Sequence, residues 1–77
     1  MEKIKLIWDF RGPFGKNTAI HHEKHLKEFF ETEKKALIKS GVESINEMHV
    51  SAYVIIDKKD LEFVKLALKP HRGKLVN

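Results

Sequence analysis

Lys34-Lys35-Ala36-Leu37-Ile38-Lys39-Ser40-Gly41-Val42-Glu43-Ser44-Ile45-Asn46 is the stretch on which the fold turns. Read locally, Lys34 to Gly41 has the composition of a helix that runs to a C-terminal glycine cap. Read for alternation, Ala36, Ile38, Ser40, Val42 and Ser44 line one face of an edge strand, with Gly41 at a bulge and Asn46-Glu47 as the following hairpin turn.

The flanks are easier to place. In residues 3–10, Ile4, Leu6, Trp8 and Phe10 alternate with Lys3, Lys5, Ile7 and Asp9, which is the period of a strand. Gly12, Pro13 and Gly15 break it, and Asn17 or Thr18 can cap a helix whose apolar stripe is Ala19, His22, Leu26, Phe29 and Phe30. Residues 48–57 form a second strong strand, with Met48, Val50, Ala52, Val54 and Ile56 expected in the core. Asp57 caps a second helix with Leu61, Val64 and Leu68 on its buried side, Pro70 ends it, and residues 72–76 close the chain as a short strand.

With 34–46 as a strand, the order is βαββαβ, an α+β two-layer sandwich of the ferredoxin-like kind. With 34–46 as a helix, it is a three-stranded βαβαβ sheet. The choice moves the chemistry. In the four-stranded arrangement Asp9, Arg11, His21, His22, His25, His49, His71 and Arg72 converge at one end of the sheet. In the three-stranded one His49 and His71 sit opposite His21 and His25. The convergent topology is adopted, because agreement between levels of structure marks a foldable sequence.

The run Lys5-Leu6-Ile7-Trp8-Asp9-Phe10-Arg11-Gly12-Pro13, the segment His21-His22-Glu23-Lys24-His25-Leu26 and the terminal Pro70-His71-Arg72-Gly73 resemble a family of small bacterial α/β proteins. The likeness spans most of the chain. It implies a ferredoxin-like fold and brings no assigned activity with it.

Seventy-seven residues allow one domain, 1–77, that buries only about 60 % of its unfolded surface. Self-association is the natural stabiliser for so short a chain, and with Ile7, Tyr53 and Ile55 left on the outer sheet face a homodimer through that face is expected. There is no cysteine, which removes disulfides and thiolate metal sites and suits the cytosol. No apolar run approaches the ~20 residues of a membrane span and no signal-type segment opens the sequence, so a cytoplasmic protein without membrane contact is expected. The net charge of +4 favours anionic partners, but lysines interleave with glutamates as in Glu31-Thr32-Glu33-Lys34-Lys35. Nucleic acid is not an expected partner on that pattern, nor with so few aromatics free for stacking.

Histidine carries the chemistry, since imidazole changes charge near neutral pH and ligates metals. His21/His25 and His22/His25 have spacings at which two rings could share an ion. Neither zinc-protease pattern survives: His-Glu-x-x-His meets Leu26, and its inverse meets Lys24. No metal and no cofactor are assigned. Parity along the strands puts Asp9 and His49 on the same outer face, a carboxylate–imidazole pair suited either to a salt bridge or to acid–base work. The resulting expectation is a small binding module for an anionic or polar ligand. Arg11 and Arg72 would carry its charge, Asp9, His22, His25, His49 and His71 would orient it, and Trp8 would form the wall. A small His/Asp enzyme and a histidine-cluster metal protein are the alternatives.

Overall fold

The computed structural model of the protein describes residues 2–76, so the two ends of the expected 1–77 domain lie outside the described residues. In chain order the elements are β1 (Lys3–Arg11), α1 (Gly15–Thr32), β2 (Lys39–Asn46), β3 (His49–Asp57), α2 (Leu61–Leu68) and β4 (Arg72–Val76). The strands make one antiparallel sheet in the order β2-β3-β1-β4.

The ambiguous stretch is a strand from Lys39 onward, and Ile38 already donates its amide to the Ile55 carbonyl at 3.0 Å. Tertiary pairing overrides the local helical preference here. Val42 packs against the core, and the Ser40 hydroxyl donates to Glu23 of α1 at 3.0 Å, tying the edge strand to the helix above it.

Three details differ from the sequence expectation. The bulge falls between Ser44 and Asn46, at Ile45, and not at Gly41. Gly41 has a different task, because a Cβ there would stand 2.7 Å from the Tyr53 hydroxyl and 2.9 Å from its ring. The ring lies across the glycine from the neighbouring strand. The hairpin turn is Glu47-Met48, with the Asn46 side chain accepting the Met48 amide at 2.8 Å. Met48 thus precedes β3 and is 53 % exposed rather than core.

Helix α1 also starts earlier than a cap at Asn17 or Thr18 would allow. Phe14 holds the N-cap position without a side-chain bond, and the Thr18 hydroxyl donates back to the Phe14 carbonyl at 3.0 Å. The constraint is steric. Gly12 takes a positive φ of 100°, and a Cβ on Gly15 would lie 2.9 Å from the Phe10 carbonyl oxygen. The chain can reverse this tightly only with glycine at both places.

The core forms as the alternation requires. Ile4, Leu6 and Trp8 of β1 meet Val50, Ala52, Val54 and Ile56 of β3 beneath Ala19, Leu26 and Phe30 of α1 and Val64 of α2. Stacking of Phe29 on Phe63, with centroids 5.9 Å apart, links the two helices. Asp57 accepts the Lys59 amide at 3.0 Å to start the turn into α2, and Lys69 ends α2 in the left-handed conformation ahead of Pro70.

The outer face is not bare. Ile7 was expected to be uncovered there, yet it is only 6 % exposed, because its cross-strand partners on that face are Tyr53 and Arg72. Lys5 extends over the Tyr53 ring, 4.4 Å from its centroid, and reaches Glu43. Long charged side chains close over the apolar residues.

Two glycines should therefore respond differently to a single methyl group. Gly15→Ala meets backbone that cannot swing aside and should lose about 1–3 kcal/mol of stability in urea unfolding. Gly41→Ala meets only the Tyr53 ring and should lose less, with a change in tyrosine fluorescence. Equal losses would contradict this packing.

Candidate functional site

The sequence-selected residues do gather at one end of the sheet, but the sheet divides them into two sets. Alternation along β1 sends Trp8 to the helix side and Asp9 to the opposite side, and each carries its neighbours with it.

On the outer face Asp9 is the hub. Its Oδ1 accepts from His49 Nε2 at 2.8 Å, from the Ser51 hydroxyl at 2.8 Å and from Arg72 Nη2 at 2.9 Å, while Oδ2 accepts from Arg72 Nε at 2.9 Å. One carboxylate thereby joins β1, β3 and β4. The Asp9 and His49 side chains are each 14 % exposed. The forked bond from Arg72 holds the Asp9 carboxyl well below the usual carboxylate range, against an opposing push from burial, with His49 and Ser51 reinforcing it. Asp9 in turn raises the Arg72 guanidinium above its ordinary value.

The network is closed upon itself. Arg72 was expected to carry a ligand's charge, but two of its nitrogens are spent on Asp9. Beside Ser51, Tyr53 and Arg72 there is a hollow of only about 20 Å³, room for one water and for no substrate. Arg11 lies one row beyond, across from His49, exposed and outside the network.

On the helix side the arrangement is apolar. Trp8 is buried, and its indole N–H donates to the Leu68 carbonyl at 3.0 Å, capping the end of α2. It is a core pillar and offers no wall to a ligand. His22 packs against Trp8 and Phe10, with ring centroids 5.2 and 5.3 Å away. Its Nε2 is buried without a hydrogen-bond partner among the described residues. Burial lowers the His22 pKa, and the nearby His25 and His71 lower it further. His25 turns to solvent and pairs with Glu28 at 3.3 Å, and among the described residues no three histidine or carboxylate groups stand at metal-binding spacing.

His71 occupies the boundary between the two sets. Its own amide donates to the Ile7 carbonyl at 2.9 Å, and its Nδ1 accepts the Asp9 amide at 2.9 Å where β4 has not yet begun. That bond fixes the tautomer, so the neutral ring carries its proton on Nε2.

Next to His71 lies the larger opening at this end, a cleft of about 280 Å³ between α2 and β4. Ile4, Leu6 and Leu61 line it as apolar surface, Pro70, His71 and Arg72 form one wall, and Lys65 comes from α2. Gly73 keeps it open, since a Cβ there would approach Leu6 Cδ2 to 3.2 Å. The sequence does not mark Lys65 at all, and it marks Leu61 only as a buried helix position and Gly73 only within the terminal Pro70-His71-Arg72-Gly73 run. A glycine facing a leucine across a strand pair leaves no periodic signal. A second hollow, about 330 Å³, lies between Lys27, Phe30, Glu31, Lys35 and Leu37, far from these groups and of mixed charge. No protein-family model, no curated protein and no solved structure matches the chain.

Because His22 is kept neutral by the fold, the unfolded chain binds more protons than the folded one once the pH falls below the ~6.5 of a free imidazole. Stability should decline from about pH 6.5 downward. Asp9 adds a separate loss only below the ordinary carboxylate range, at about pH 4 and lower. His22→Phe should flatten the decline in melting temperature between about pH 7 and 5. An unchanged slope would place its origin elsewhere.

Proposed function

We propose that the protein is a small binding module of ferredoxin-like architecture whose α2–β4 cleft takes a small amphiphilic anion, such as a medium-chain carboxylate. The strand order β2-β3-β1-β4, with one helix after β1 and one after β3, supports the architecture.

The observation that carries the ligand class is the composition of the cleft. Apolar residues Ile4, Leu6 and Leu61 line it, while Lys65 supplies positive charge and His71 an Nε2–H whose tautomer is already set. An apolar body with one anionic end matches both. The volume lies near the lower end of the ~300–1,000 Å³ usual for ligand pockets, which suits a small molecule. Of the histidines and arginines that the sequence marks, His71 and Arg72 border the cleft, and His71 is the one with a ring nitrogen free for a ligand. Arg72 acts through Asp9 and the strand edge, not through a free guanidinium.

The other readings have less support. Acid–base catalysis by Asp9 and His49 would need a substrate cavity, and the hollow beside Ser51 and Arg72 has room for no more than one water. Dimerisation through Ile7, Tyr53 and Ile55 loses most of its apolar driving force once Ile7 is covered within the single chain.

Titration calorimetry with hexanoate and with hexanol tests the assignment. Hexanoate should bind more tightly than hexanol, Lys65→Ala should narrow that difference, and Gly73→Val should weaken hexanoate by about tenfold or more. Full affinity in Gly73→Val would remove the cleft from consideration.

A further inference from the structure

The sheet pairing assembles a charged row that the sequence does not display. Lys39 of β2 is the partner of Ile55 of β3, Ile55 is the partner of Lys5 of β1, and Lys5 is the partner of Lys74 of β4. Directly paired residues share a face. Three lysines from three strands thus lie in one line across the outer face, with Lys39 and Lys74 about 14 Å apart by the spacing of strands. Lys3 stands in the next row, between Asp57 and Val76.

The acidic groups on this face are already engaged. Glu43 meets Lys5, Asp9 is held by Arg72, and Asp57 accepts the Lys59 amide. Lys3, Lys39, Lys74 and Arg11 are exposed and have no ion-pair partner among the described residues. The chain's surplus of positive charge is concentrated on one flat surface.

We infer that the outer sheet face is a docking surface for the backbone of a single-stranded nucleic acid. Charge complementarity identifies the partner as an extended polyanion, and the row crosses all four strands as an extended chain would. Tyr53 and Ile55 are half-buried between the cations, so they offer apolar flanks to a base without a protruding aromatic platform. Binding is therefore carried by phosphate contacts and indifferent to sequence. An anionic membrane fits less well, because Ile7 is covered and Tyr53 and Ile55 are half-buried among the charged side chains at the centre of the face. This face lies opposite the α1–α2 layer, and the surface is independent of the α2–β4 cleft.

Fluorescence anisotropy of a labelled oligothymidylate, with untagged protein, provides the test. Binding should appear at low ionic strength and weaken with salt at a slope of about −0.7 per phosphate contact, near −1.4 for Lys39 and Lys74, the unpaired lysines of the row. Lys39→Glu with Lys74→Glu should reduce affinity by on the order of tenfold and flatten the slope. Lys16→Glu with Lys24→Glu, an equal charge change on exposed positions of α1, should leave the slope unchanged. Three results would overturn the inference. These are no binding at low ionic strength, an equal loss in the α1 variant, and displacement of the oligonucleotide by polyglutamate at equal charge concentration, which would assign the face to acidic protein instead. Circular dichroism of each variant verifies that the fold is retained.

Discussion

The alternation of β1 is the constraint from which the rest of the structure follows. β1 is central in the sheet and paired on both sides, so each residue of Lys3–Arg11 is committed to one face by its neighbour's commitment. Trp8 goes under the helices and Asp9 goes to the other side. Trp8 then holds the end of α2 through Leu68 and forms one wall for His22. Asp9 collects His49, Ser51 and Arg72. A one-residue slip would exchange a buried indole for a buried carboxylate.

The two faces consequently do different work. The outer one is electrostatically satisfied at its Asp9 end and cationic along the rest. The inner one is filled under α1 and open under the shorter α2, where Gly73 contributes no side chain. The Asp9 network and the cleft lie on opposite sides of one layer of backbone, and His71 and Arg72 touch both. The Nδ1 of His71 completes the hydrogen bonding of β1 at Asp9, while its ring lines the cleft.

Much of this was legible from residue pattern alone. The alternation of 3–10 and 48–57 marks both central strands, and the same parity places Asp9 beside His49, where the structure has them 2.8 Å apart. The helix stripes at Ala19, Leu26, Phe30 and Val64 are buried as their spacing implies. What was not legible depends on contacts distant in sequence. Lys34–Gly41 has a helical local preference, and only pairing with β3 makes its end the start of a strand. The Arg72–Asp9 fork joins residues at opposite ends of the chain. The convergence of histidines was real along the strand direction, yet burial separated His22 from His49 in a way no linear spacing reports. The interleaving of lysines with glutamates at Glu31–Lys35 argues against a basic surface, but a pattern along the chain says nothing about neighbours across the sheet. Lys5, Lys39 and Lys74 are scattered in sequence and adjacent in the sheet.

The most direct test of the division into a closed outer network and an open inner cleft is nitrogen NMR of the imidazole rings during titration with hexanoate. His71 should appear with its proton on Nε2, and that nitrogen should shift as the carboxylate binds, while His49 stays unmoved beside Asp9. A response centred on His49, or a His71 ring with its proton on Nδ1, would contradict the account.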